Sequence, residues 1–232
     1  METLVKIQNL TKRYGSVVAL DHMTIDLPKG RVIGLLGPNG SGKTTLIKLM
    51  NGLLQPTEGE IWIGGEPVGF KTKSMVSYLP DRNYLNNGDK VKTVLKQFER
   101  FYTDFNREKA EALLDTLQIS TGMKLKNMSK GTKEKMQLAL VMSRDAQIYV
   151  LDEPIAGVDP AARDLILRTI MEHRNPEATV LLSTHLIADI EPILDDAIFV
   201  QYGRIVLANT AANIRAEKGK SVDAVFREVF RC

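Results

Sequence analysis

The sequence has a single cysteine, Cys232, its last residue, so no disulfide can form within the chain. That usage suits a reducing compartment. Long apolar runs are missing too. The longest are strand-sized, such as Tyr149-Val150-Leu151, far short of the ~20 apolar residues that cross a bilayer as a helix. The opening Met-Glu-Thr-Leu-Val-Lys has no charged-then-apolar leader, which argues against secretion. Charge of one sign is also absent. With 31 Lys and Arg against 28 Asp and Glu, the net charge is +3 and is spread along the chain. This argues against the concentrated basic face of a nucleic-acid-binding surface. No internal repeat or low-complexity segment is visible. A role at a membrane would therefore require a separate membrane partner.

What is present is ordinary globular usage: 232 residues, 44% hydrophobic and 25% charged, enough for one domain with one sizeable insertion. Alternating apolar residues predict strands over 3–9 and 17–27, with a turn at Pro28-Lys29-Gly30. Residues 31–36 are a short apolar run before a Gly/Pro-rich loop, and 43–54 have helical spacing. Strands are expected at 60–63 and 75–79. Segment 82–145 changes character, with helical spacing at 91, 94, 95, 98, 101, 102 and 105 and further helices near 107–117 and after Ser129 to about 143. It reads as a helical insertion in an α/β core. The core resumes with the continuous apolar strand 148–151, of the kind buried in parallel sheets. A helix over 161–173, a strand over 179–182 and a short helix over 187–193 follow. A hairpin around Tyr202-Gly203 and two short helices over 210–231 complete the pattern.

Residues 37–44 read Gly37-Pro38-Asn39-Gly40-Ser41-Gly42-Lys43-Thr44, a full match to the phosphate-loop pattern of two glycines with four residues between them, followed by Lys and Ser or Thr. Phosphates need a concave ring of backbone N–H groups, and glycines let the chain adopt that curve. The helix that follows points its positive end at the anion. Lys43 supplies a cation to the outer phosphates, and Thr44 offers a hydroxyl to Mg2+. The ligand implied is ATP. A second signal is the strand 148–151, which ends in Asp152-Glu153. Carboxylates at the end of a buried strand are costly unless they meet a cation or hydrogen bonds. Beside a phosphate loop, Asp152 suits Mg2+ and Glu153 suits the attacking water.

At these residues the sequence resembles the nucleotide-binding subunits of ABC transporters, over nearly its whole length. Met128-Ser129-Lys130-Gly131-Thr132 stands where that family carries its LSGGQ signature. Gly157-Val158-Asp159 matches the loop after the acidic strand, Ser183-Thr184-His185 the switch histidine, and Tyr14 the aromatic that stacks on adenine. The resemblance implies a single ABC ATPase domain over 1–232. Its parts would be a P-loop NTPase (RecA-like) α/β core with an antiparallel β subdomain over 1–81 and 146–232, and a helical subdomain over 82–145 carrying the signature. By the same resemblance, Tyr14 would stack on the base and residues 39–45, Thr45 included, would bind phosphates. Thr44 and Asp152 would serve Mg2+, Glu153 would be the base, and His185 would contact the γ-phosphate. Ser129, Lys130 and Gly131 would complete the site of a second copy of the chain, with Asp159 coupling the two sites. Taken singly, Tyr14 also fits a strand-end aromatic, His185 a surface histidine, and Ser129 a helix cap.

Three positions depart from the family pattern. Asp81, in Tyr78-Leu79-Pro80-Asp81, stands where a glutamine is usual and can still approach Mg2+. Lys130 replaces the first signature glycine, and Thr132 the glutamine. The aromatic residues Phe98, Phe101, Tyr102 and Phe105 are expected on one helix face. They serve either as internal packing or as a groove for a short cytoplasmic helix of a membrane permease. The pieces around Asp81, Lys130 and residues 151–160 look like small ABC-2 type exporters, some of which export amphipathic or antimicrobial peptides. The expectation is an ATPase subunit on the inner face of the cell membrane, with no nucleic-acid partner. An importer subunit and a soluble ABC-type ATPase of DNA repair or translation stay open at this point.

Overall fold

The computed structural model describes residues 2–230, so Cys232 lies outside the described residues. In chain order the strands are β1 (Thr3–Tyr14), β2 (Val17–Pro28), β3 (Val32–Leu36), β4 (Glu58–Ile63), β5 (Glu66–Pro67), β6 (Val76–Leu79), β7 (Ile148–Asp152), β8 (Thr179–Thr184), β9 (Asp196–Gln201) and β10 (Arg204–Thr210). The helices are α1 (Lys43–Met50), α2 (Val91–Phe101), α3 (Arg107–Thr116), α4 (Lys130–Met142), α5 (Pro160–His173), α6 (Ile187–Ile190), α7 (Ala211–Lys218) and α8 (Val222–Phe230). One antiparallel sheet has the order β2-β1-β4-β5. The other has the order β10-β9-β3-β8-β7-β6 and is parallel apart from its terminal hairpin β9–β10. Among the described residues no helix is long and apolar enough to cross a membrane.

Every residue of β3, β7 and β8 is buried, because both faces of this sheet are covered. The strand pleat divides them between two cores. Val32, Leu36, Tyr149 and Leu151 face a core closed by α3, α4, α5, α7 and α8. Ile33, Leu35, Ile148 and Val150 face a second core closed by α1 and the antiparallel sheet. This is the α/β P-loop NTPase fold.

Three local differences from the sequence reading have physical causes. Helix α1 stops at Met50, short of residue 54. The Asn51 side-chain amide donates to the Ile47 carbonyl (2.8 Å), and Gly52 takes a left-handed φ of 64°. Strand β1 runs on past residue 9, because Asn9 at φ 47° and register shifts absorb the break in alternation. The four aromatics do not share one helix face. Tyr102 leaves the helical conformation (φ −121°, ψ 109°), Phe101 is 75% exposed, and Phe105 lies beyond the helix, bridging to Arg144. The packed rings are Phe98 with Tyr102 (5.4 Å) and Phe98 with Phe105 (5.5 Å).

Helix α4 is tied to the sheet at its far end. Buried Arg144 donates to the carbonyls of Val76 (2.6 Å) and Ser74 (3.1 Å), forms a fork with the Asp104 carboxylate (3.0 Å), and stacks 4.0 Å from the Tyr102 ring centre. The Ser77 hydroxyl donates to the Val141 carbonyl (2.8 Å), and the Tyr149 hydroxyl to the Arg144 carbonyl (2.6 Å). Removing the guanidinium would leave a carboxylate and the carbonyls of Lys73, Ser74 and Val76 without this donor. Arg144→Ala should therefore destabilise the chain by about 3–5 kcal/mol, read from urea unfolding midpoints.

Candidate nucleotide site

The phosphate loop connects β3 to α1 and is held by contacts from distant parts of the chain. Gly40 (φ 79°) and Gly42 (φ 111°) take left-handed backbone that a side chain would strain. Gly37 is also obligatory, for another reason: a Cβ there would lie 2.3 Å from the Val200 carbonyl oxygen. The Ser41 carbonyl accepts from the Gly203 amide (2.9 Å), so the β9–β10 turn lies against the loop. Pro38, Asn39 and Gly40 are exposed at the mouth, and Thr44 and Thr45 are half-buried in the first turn of α1. Lys43 is 6% exposed, and its ammonium donates to the carbonyls of Gly37 (2.7 Å) and Pro38 (3.1 Å). Burial pushes its pKa down, while Glu153 and Asp152 act in the opposite direction.

Sheet order brings the acidic strand end to the same edge. Strand β8 lies between β3 and β7, and Ser183 near its end donates to Asp152 Oδ1 (2.6 Å). Burial pushes the Asp152 carboxyl above its usual range. The Ser183 hydrogen bond opposes this, and the Asp81 charge adds to it. The Glu153 amide donates to both the Ser183 carbonyl and hydroxyl (3.1 Å each). These bonds hold Glu153 at φ 53°, a left-handed conformation unfavourable for a glutamate. Its Oε2 meets His185 Nδ1 at 3.0 Å.

A cleft of about 290 Å³ joins these groups, with Asn39, Asp81, Lys130, Asp152, Glu153 and His185 among its walls. Ser129, Gly131 and Tyr14 are not part of that lining. Ser129 caps α4, its Oγ accepting from the Thr132 amide (3.1 Å). Asp159 caps α5, accepting from the Ala162 amide (3.0 Å). Tyr14 is 47% exposed at the end of β1, with the Lys12 ammonium 5.4 Å from its ring centre. Gln137, in α4, also lines the cleft and is not among the residues picked out from the sequence. The available signal was one amide in the otherwise apolar run from 136 to 142. A second cavity of about 600 Å³ contains Met50, Leu53, Tyr84, Phe98 and Tyr102, and Pro80 and Asp81 line both cavities.

Two buried oxygens, Ser41 Oγ and Asp152 Oδ2, have no hydrogen-bond partner. A hard cation takes oxygen ligands, and Mg2+ characteristically uses one or two carboxylates plus substrate phosphates. Asp152, Asp81 and the Thr44 hydroxyl fit that donor set.

A glycine-built anion cradle at the head of a helix, facing a carboxylate pair across a parallel sheet, defines a P-loop ATPase. The sequence matches the family described as ABC transporter over residues 20–156. The chain belongs to that family, as an ATP-binding subunit. It is 31% identical to the Nod factor export ATP-binding protein I of Sinorhizobium fredii, over 89% of this chain and 62% of that protein. It is 30% identical to the daunorubicin resistance ATP-binding protein DrrA3 of Streptomyces coeruleorubidus, over 98% of this chain and 75% of that one. Among solved structures it resembles an ATP-binding subunit of an ABC transporter, with TM-score 0.88 and 28% identity, covering 98% of this chain and 100% of that one.

The raised Asp152 pKa makes its ionised form oppose folding. Stability should fall as pH rises from the unfolded value near 4 through the folded value. Asp152→Asn removes that penalty. Its melting temperature without nucleotide or metal should exceed that of the parent chain, by a wider margin at about pH 7 than at about pH 4.

Proposed function

We propose that the chain binds ATP with Mg2+, hydrolyses it between two copies of itself, and powers a separate membrane permease of the exporter type. The observation that carries this reading is the Glu153–His185 contact, at 3.0 Å, on the wall of a cleft that also holds Asp152 and Asn39 of the phosphate loop. Lys43 is held in place by loop carbonyls, which it would exchange for the outer phosphates of ATP. Thr44 and Asp152, with Asp81 beside them, would hold Mg2+, which supplies positive charge to the phosphate oxygens. Glu153 accepts a proton from water as the water oxygen bonds to the γ-phosphorus. The bond from that phosphorus to the bridging oxygen breaks, and ADP leaves with the electron pair. His185 fixes the Glu153 carboxylate and faces the γ-phosphate. Tyr14, half-exposed, offers its ring to the adenine.

The signature residues support a shared site. Ser129 and Gly131 lie outside their own chain's cleft, at the N-terminal end of α4, where backbone amides favour an anion. A second chain's γ-phosphate would meet them, with Lys130 adding charge and Asp159 linking the two sites. The segment 82–145 would act as the helical subdomain that carries this surface. The larger cavity, walled by Tyr84, Phe98 and Tyr102, suits a short helix of the permease, and Asp81 would report its arrival to the nucleotide. Both readings of the aromatic cluster then hold, with Phe98 and Tyr102 packing internally while lining the groove. The name of the Nod factor export relative supports an exporter, and the sequence resemblance to small ABC-2 type exporters extends this to peptides or other amphipathic compounds moved from the cytoplasmic face of the membrane.

Glu153→Gln should keep ATP affinity, lose turnover by about 10²–10⁴-fold, and accumulate as an ATP-bound dimer on size exclusion. Normal turnover in that variant would remove the general-base assignment. Lys43→Ala should instead lose ATP affinity, measured by calorimetric titration.

A further inference from the structure

Helix α4 presents three polar residues to the nucleotide cleft at helical spacing: Lys130, Glu134 and Gln137. Their burial increases along the helix. The Lys130 side chain is 82% exposed, that of Glu134 is 25% exposed, and Gln137 is 2% exposed. The first two satisfy each other at 3.7 Å. Gln137 Nε2 is buried and has no hydrogen-bond partner. The helix cannot simply turn to relieve it. The Ser77–Val141 bond and the Arg144 fork fix its rotation from the other end.

A buried amide donor left unpaired is unfavourable, and native chains rarely keep one without a use. The same cleft contains a second unpaired group of opposite character, Asp152 Oδ2. The two are not bonded to each other. A group seated between the walls is what would satisfy them. Glu153, in the same lining, supplies a proton acceptor. A water held for attack needs an acceptor for its proton and a donor to one lone pair, so that the other lone pair points at phosphorus. Lys43 and the loop amides already serve the phosphate oxygens, while Gln137 is the buried side-chain amide lining the cleft that also holds Asp152 and Glu153.

We propose that Gln137 is a catalytic residue that donates from Nε2 to the attacking water while Glu153 accepts its proton. This rests on the hydrolytic reading above. It assigns to α4, the helix that begins with the signature, a direct hand in its own chain's chemistry.

The test uses the full chain and the near-isosteric Gln137→Met and the smaller Gln137→Leu, both of which remove the donor. In each, kcat should fall about 10–100-fold with KM for ATP within about twofold of the parent. Affinity for ADP with vanadate, which places an oxygen where the water attacks, should fall in parallel, while affinity for ADP alone is kept. The melting temperature of nucleotide-free Gln137→Met should equal or exceed the parent's, since the orphan amide is gone. Asp81→Gln returns an amide to the same cleft from another lining position, and should restore part of the turnover lost in Gln137→Met.

Unchanged kcat in either variant would overturn the proposal. So would a loss of ATP affinity equal to the loss of kcat, which would make the amide a phosphate ligand. A Gln137→Met chain that turns over normally while Glu153→Gln is inactive would remove only the Gln137 assignment. A Glu153→Gln chain that turns over normally would remove the hydrolytic reading beneath it.

Discussion

A carboxylate buried at the end of a strand sets the terms for the rest of this molecule. Asp152 is 1% exposed, and its ionised form is opposed by desolvation. The parallel register offsets that by placing Ser183 of β8 beside it, at one edge of the sheet with Lys43. The offset is incomplete, because one carboxylate oxygen stays unpaired. The folded chain therefore holds an electrostatic deficit that a cation can fill. The stability lost at this site is of the kind that enzymes exchange for function.

Helix α4 distributes the consequences. It is 13 residues long, about 20 Å at the usual rise, and reaches from the signature to the larger cavity. Its capped start carries Ser129, its middle presents Gln137 to the cleft, and just beyond its end Arg144 lies under the larger cavity with Tyr102. Displacing one end of so rigid an element moves the other. The helix thus spans from the nucleotide cleft to the larger cavity, alongside Pro80 and Asp81, which line both.

The sequence made some of this legible and hid the rest. The phosphate loop could be read because its requirements are local: glycines at left-handed positions and a lysine that opens the helix. Asp152-Glu153 could be read because a buried strand ending in two acids is anomalous. Gln137 could not be found that way, since its meaning depends on how α4 is rotated, and Arg144 and Val141 fix that rotation through contacts distant in sequence. The helical spacing of the aromatics misled for a related reason. Periodicity assumes the helix continues, and Tyr102 ends it, leaving Phe101 in solvent while Phe105 turns inward.

The turn between β9 and β10 has a bearing on how the chain comes into being. Its Gly203 amide binds the Ser41 carbonyl, its own carbonyl binds the Asp21 amide, and Val200 crowds Gly37. A nascent chain emerging from the ribosome has made its glycine loop long before it makes Gly203. Until that hairpin arrives the loop lacks these braces, and most of the synthesis time passes without them. The braced form of the phosphate loop therefore exists only after residue 203 has been added.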